Sequence, residues 1–440
     1  MTEPTQPPMA RGKTPIAGFA AAALIALLAL APLASAASDP VASGSTTLTI
    51  NSGLFNKLKK SGVKIAKVSP AKLKGKKATF TVTSGTIDPT TGIGTVTLGG
   101  GLKFKAGKKS ATVKSLSLDT SKKALKGNVA GKKMKVAAIK SFTATRNGFG
   151  VNLTLKTLKL TGSAAKQLNK KLGFTGESKA KGHKRASASK VVQPPFKGNQ
   201  VLGTGSSEVQ PSTVAVKPVG NLTFAGNPTL LEKLKNVEVQ VETIPPTSAA
   251  ANVFTSPITG GTIGPTGTAG VVQSGGGLRL VQVLPTSPTT AITTKITLAA
   301  MYVDLGAKTV SVEVVGESNA KDSQGKEPLN LGNLGRSSIA DLTVSSITPN
   351  PTALTVGVNA SANLQAVAAE VLQGFVSVYR GYVEGGTTLK VCEALPGHCA
   401  TQGEKEIAAA KAKEEGEKVE KNHISAGEGL GTFAFTAQGE

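Results

Sequence analysis

The sequence states one pattern twice, and this limits the fold more than any other feature. Leu54-Phe-Asn-Lys-Leu58-Lys returns as Leu230-Leu-Glu-Lys-Leu234-Lys. Gly85-Thr-Ile-Asp-Pro-Thr leads through Gly94 and Val96 to Gly99-Gly-Gly-Leu102. It returns as Gly261-Thr-Ile-Gly-Pro-Thr, through Gly270 and Val272, to Gly275-Gly-Gly-Leu278. Both blocks recur at one offset of 176 residues. Solenoid repeats run to roughly 20–50 residues, so a period this long marks a duplicated domain.

The first residues read as an export signal. Arg11 and Lys13 form a basic start, residues 16–33 are apolar, and Ala34-Ser35-Ala36 is a small-x-small cleavage site. A signal peptide over 1–36 predicts a secreted or cell-surface chain. No later segment has the roughly 20 continuous apolar residues of a membrane span. The two cysteines, Cys392 and Cys399, enclose a short Pro-Gly loop and read as a disulfide outside the cell.

Between these signals the chain is rich in Gly, Thr, Val, Ser and Ala, with short alternating runs separated by turns. That pattern predicts an all-β fold: two tandem antiparallel sandwich or barrel-like domains with short capping helices, plus a helical C-terminal segment. Asn51-Ser52 caps a helix over 53–60, and Gly173 ends one over 163–172. The expected layout is domain one over 45–173, a disordered linker over 174–212, domain two over 213–378 and an extension over 379–440. Within the extension, 375–389 has strand character, 404–421 reads as an exposed helix weakened by Gly416, and 432–436 returns as a last strand.

The charge divides unevenly. Residues 37–200 hold 33 Lys/Arg against 4 Asp/Glu, while residues 201–440 hold 16 against 21. The basic copy either attracts a polyanion or uses lysine to keep sheet edges soluble. Lys103, Lys105, Lys108 and Lys109 are the candidate polyanion contacts. Nucleic acid is not expected, because the basic copy has no Tyr or Trp for stacking and few Arg for base edges.

Enzyme chemistry finds no support. His183, His398 and His423 have no neighbouring nucleophile, and there is no Gly-x-Ser-x-Gly elbow and no paired metal-ligand motif. Tyr302, Tyr379 and Tyr382 are either strand aromatics or weak candidates for haem iron, which a phenolate can ligate.

The order of elements is more telling than any one motif. It runs from a capped helix through alternating strands, the Gly-Thr-Ile-x-Pro-Thr turn and the Gly-Gly-Gly-Leu strand to an Ala-rich closing helix (Ser163-Ala-Ala-Lys-Gln-Leu168, then Leu364-Gln-Ala-Val-Ala-Ala369). This order resembles the HtaA domain, the haem-transport-associated module of actinobacterial surface proteins, in two divergent copies. The resemblance implies an exported, surface-exposed binding protein, with haem as its ligand. The family places an iron-ligating Tyr on the first short helix, where Leu58 and Leu234 stand here. Its Gly-His turn reads Gly107-Lys108 in copy one and a Pro/Thr insertion in copy two, and its opening Trp is absent. The alternative reading is a structural or adhesive protein whose basic domain docks on anionic cell-wall polymer.

Overall fold

The computed structural model describes residues 38–174, 193–321, 326–327, 329–395 and 398–440. The expected signal peptide and the charged middle of the expected linker, 175–192, lie outside the described residues.

The first sheet starts with β1 (Asp39–Ile50), β2 (Val63–Val68), β3 (Lys72–Lys74) and β4 (Lys77–Ile87). It continues with β5 (Gly94–Ala106), β6 (Lys109–Asp119), β7 (Ala124–Val129) and β8 (Lys132–Ile139). It ends with β9 (Phe142–Asn147), β10 (Gly150–Leu160) and β11 (Val201–Pro211). The pairing β5-β6-β7-β8-β10-β11-β1-β4 returns to β5, so the sheet closes into a barrel. Strands β2, β3 and β9 flank the ring on β5, β4 and β10. Alternation drives it: along β4, Ala78, Phe80 and Val82 are buried between residues of the outer face. Closure leaves the ring without free edges.

Two helices cap this barrel. In α1 (Ser52–Lys60), the Asn51 side chain accepts from Gly53 N at 2.9 Å and Leu54 N at 3.2 Å, and Leu54 and Leu58 are buried. In α2 (Gly162–Leu172), Ala164, Ala165, Leu168 and Leu172 are buried, and Gly173 at φ 83° ends the helix.

The second sheet starts with β12 (Val214–Ala215), β13 (Asn221–Gly226), β14 (Val239–Ile244) and β15 (Ser248–Ala250). It continues with β16 (Val253–Ile263), β17 (Gly270–Ser274), β18 (Gly277–Pro285) and β19 (Ala291–Asp304). It ends with β20 (Thr309–Ser318), β21 (Gly332–Asn350), β22 (Thr355–Leu364) and β23 (Gly429–Gln438). Its ring, β16-β13-β23-β22-β21-β20-β19-β17, also closes on itself. Its helices are α3 (Pro228–Asn236), α4 (Ala366–Ala394) and α5 (Gln402–Val419). From α1 to β4, each element begins again 176 residues later, as α3, β14, β15 and β16.

The glycine triplets are where the rings bend. Gly100 adopts φ +87°, and a Cβ there would lie 2.4 Å from Ala71 N. The β5–β6 register shifts between Leu98 and Gly101. The matching Gly276, at φ +73°, separates β17 from β18.

Two expectations need correction. Val201–Pro211, expected in the linker, is β11, paired with β1 and β10. Its inward residues are Gly203, Ser207, Val209 and Pro211, which give almost no hydrophobic signal. Residues 375–389, expected as a strand, lie within α4. Their β-branched residues favour strand, but Ala369, Leu372, Phe375 and Val376 are buried at helical spacing. Against α4 packs α5 through Ala408, Ala412 and Gly416. A Cβ at Gly416 would lie 2.0 Å from Glu384 Oε1, so this glycine permits the approach of the two helices. The Cys392–Cys399 disulfide closes the turn between them. Gln282, fully buried, donates to Val237 O at 2.6 Å and Phe375 O at 3.2 Å, tying α3 to α4. The expected last strand over 432–436 lies within β23, between β13 and β22.

The barrels meet where the β9–β10 turn delivers Phe149 into the core of the second barrel. Nearby, Arg146 donates to the main-chain carbonyl of Glu440. Asp39 is 6% exposed. Burial pushes its carboxyl up to about 6; Arg146 opposes this, and Asp88 and Glu440 add to it. A carboxyl higher in the folded than in the unfolded chain adds stability as pH falls through about 6, complete below its unfolded value of 3.8. Asp119 works the other way. Burial would raise it, but Lys126, Ser121 and the Lys122 amide hold it at about 2, so its contribution is lost only as pH falls from 3.8 towards 2.

Stability from Asp39 is therefore expected to rise by roughly 2 kcal/mol between about pH 7.5 and pH 4.5, raising the melting temperature, and Asp39→Asn is expected to lose this increment. Calorimetry at both pH values checks this. Gly100→Ala is expected to cost roughly 2 kcal/mol or more by thermal unfolding, because both its dihedral and its contact with Ala71 resist a side chain.

Candidate functional site

The α1 helix places its apolar face on the barrel and its lysines at the surface. Between α1, β2 and β3 this leaves a cleft of about 490 Å³. Phe55, Leu58, Val63, Ile65 and Leu73 form its apolar walls, and Lys59 and Lys64 add positive charge. Lys59 Nζ sits 4.9 Å from the centre of the Phe55 ring. Lys57, two residues earlier, donates to Pro194 O at 3.3 Å; burial and then Lys197 push its pKa down.

Leu58, 1% exposed, also borders a void of only about 40 Å³ inside the barrel. Phe196 fills that end, edge-on to Phe104 at 5.4 Å between ring centres. The interior is therefore packed, and space for a ligand lies on the outer side of α1. Sequence reasoning missed Phe55, Lys59, Lys64 and Phe196. The alternation of Lys57, Lys59 and Lys60 with Leu54 and Leu58 was the available signal for the first two.

The sequence-predicted residues fall in separate places. Lys103 and Lys105 project from the outer face of β5, on either side of buried Phe104. Lys108 is exposed in the β5–β6 turn. Lys109 turns to the end of α2: a Cβ at Gly173 would lie 2.6 Å from its Nζ. There it faces the negative end of the helix dipole, a structural role. Tyr302 is already engaged. Its hydroxyl accepts from Gln273 at 3.3 Å and donates to Glu313 at 3.3 Å, and the Arg336 guanidinium covers its ring at 3.9 Å. Tyr379 and Tyr382 pair on α4 at 6.2 Å between ring centres. Burial, then Glu238 and Tyr382, push the Tyr379 phenol up, which disfavours the phenolate. Tyr379 packs against the core cluster that includes Leu234 and Val239, the counterparts of Leu58 and Val63.

A larger cleft of about 610 Å³ runs along α4, lined by Ala369, Gln373, Gly374 and His423 among others. Its imidazole Nδ1 is 3.6 Å from Glu420. Among the described residues no group of three or more His, Cys, Asp or Glu could hold a metal ion, and no helix is long and apolar enough to cross a membrane.

The fold defines a tandem pair of closed antiparallel barrels, each capped by helices. No family model and no curated protein matches the chain. Among solved structures it is similar to the C-terminal domain of HtaA from Corynebacterium glutamicum, at 12% identity and TM-score 0.30, over 51% of this chain and 98% of that one. It is also similar to the N-terminal domain of the same protein, at 11% identity and TM-score 0.28, over 50% of this chain and 97% of that one. These are domains of the family that the sequence resembles.

Haem is the group this resemblance implies, and the donor set does not fit a coordinated iron at either short helix. Leu58 and Leu234 are buried hydrocarbon, and no residue lining the α1 cleft carries an imidazole, phenol or sulfur. Phe196→Ala is expected to cost roughly 3–5 kcal/mol in chemical denaturation, because it opens the packed barrel mouth.

Proposed function

We propose that the chain is an exported, non-catalytic cell-surface binding protein, and that the α1 cleft of its first barrel takes a flat amphipathic anion of the porphyrin class. The observation that carries this is the cleft's position and lining. It lies where the resembled family places its iron ligand, and it offers apolar walls with lysine at Lys59 and Lys64. At about 490 Å³ it is within the roughly 300–1,000 Å³ range of small-ligand sites. An apolar ring plane would gain roughly 25 cal/mol per Å² buried, and its carboxylates would gain charge-assisted hydrogen bonds from the lysines. The lining of this cleft carries no iron ligand, so recognition there rests on shape and charge. Export rests on the leader sequence, and the absence of a catalytic role rests on the absence of nucleophile and metal motifs.

Titration of the full chain with haemin and with metal-free protoporphyrin tests this by absorbance and fluorescence. The two are expected to bind within about threefold of each other, and Lys59→Glu with Lys64→Glu to weaken both by about tenfold. Binding of neither overturns the reading. Binding of haemin alone would show that iron is coordinated after all.

A further inference from the structure

We propose that the outer face of β2, β5, β6, β7 and β8 in the first barrel is a docking surface for a linear phosphodiester polyanion of the polyol-phosphate kind. Strand alternation builds this face. Phe104, Ala111, Val113 and Val129 point into the core, so the residues between them point out. Register then sets Lys105 directly beside Lys64, and Lys126 directly beside Lys135. Lys114 on β6 and Lys133 on β8 are exposed between and beyond these pairs.

Directly opposed like charges destabilise a sheet. The second barrel shows that the topology does not need them. Its matching pairs are Gln240 opposite Val281 and Ser311 opposite Ser338. Where it keeps cations, it answers them. Arg279, in the place of Lys103, lies 3.7 Å from Glu242, and Arg336, in the place of Lys133, sits opposite Glu313 and over Tyr302. In the first barrel, the five strands contain no carboxylate except Asp119, which Lys126 holds at 2.7 Å. The repulsion is therefore specific to one copy: Asp119 offsets it at the Lys126–Lys135 pair, and no carboxylate on these strands answers Lys64, Lys105, Lys114 or Lys133.

The surface also selects its partner. Alternate residues on a strand are about 6.6–6.8 Å apart and strands about 4.8 Å apart, which makes a regular lattice of single charges. Lysine is a compact, flexible point charge that does not impose the fixed bidentate geometry of arginine, so a lattice of lysines suits a flexible chain of singly charged groups. No aromatic ring on these strands faces outward to stack a base. Among the described residues, none of the exposed large apolar side chains lies on these strands to enter a bilayer.

The test measures binding of the full chain to poly(glycerol phosphate) between about 50 and 200 mM salt. The face variant carries Lys105→Gln, Lys114→Gln, Lys133→Gln and Lys135→Gln. The control carries Lys72→Gln, Lys74→Gln, Lys156→Gln and Lys159→Gln, on β3 and β10. The face variant is expected to lose at least about tenfold in affinity, and its salt slope to become shallower by roughly three, at about 0.7 per lysine. The control is expected to stay within about twofold of the parent. Equal loss in both variants would reduce the effect to net charge and overturn the proposal. So would tighter binding to polyglutamate, to a thymidine homopolymer or to phosphatidylglycerol vesicles. Protoporphyrin titration of the face variant, which leaves Lys59 and Lys64 in place, should be unchanged, which distinguishes failure of this proposal from failure of the α1-cleft reading.

Discussion

Each half of the molecule depends on one ladder of hydrogen bonds: the return of the ring onto the strand that runs through, or leads into, the glycine triplet. Strand β4 meets β5 in barrel one, and β16 meets β17 in barrel two. The strand must then turn out of the ring to pair with β2 or with β14 on its far side. Only a residue without Cβ fits at that corner, where Gly100 lies against Ala71 and Gly276 against Thr247. The helices, the packed interior and the α1 cleft all take their positions from this corner.

On this shared frame the copies have diverged by addition and by charge. In barrel one, α2 stops at Gly173. In barrel two the corresponding helix runs on, folds back as α5 and is fastened by Cys392–Cys399. That extension places Tyr379 against the α3 core, whereas α1 borders an open cleft. The charge difference follows the same division. Barrel one carries bare lysine across neighbouring strands, and barrel two replaces or neutralises it at the same register.

Much of this was legible in the sequence because it was written as identity of spacing. The first short helix of each copy, the turn that holds Asp88 in copy one and the glycine corner all lie in the repeated blocks. In that turn Asp88 accepts from Thr90 N and from Thr91. What escaped was written only in three dimensions. Strand β11 carries Ser207 inward because its hydroxyl bonds Thr46 at 2.7 Å, and Gly205 stays small beneath Leu48 and Leu155. The matching β23 fills similar positions with Phe433 and Phe435, and so it was readable. For the site, Lys103 and Lys105 could be seen as outward residues of an alternating strand. The role of Lys109 depended on Gly173, far along the chain, and no local pattern could reveal it.

The closing strand of each ring is also the last in its half, and it follows a long excursion from its neighbour. Strand β11 comes after α2 and the connector, and β23 comes after the whole α4–α5 hairpin. Until β11 arrives, β1 and β10 of a nascent chain offer unpaired amides and carbonyls; β13 and β22 do so until β23 arrives. Neither ring can close before its last strand is made, so any sheet formed earlier would carry two open edges on which a wrong neighbour could pair.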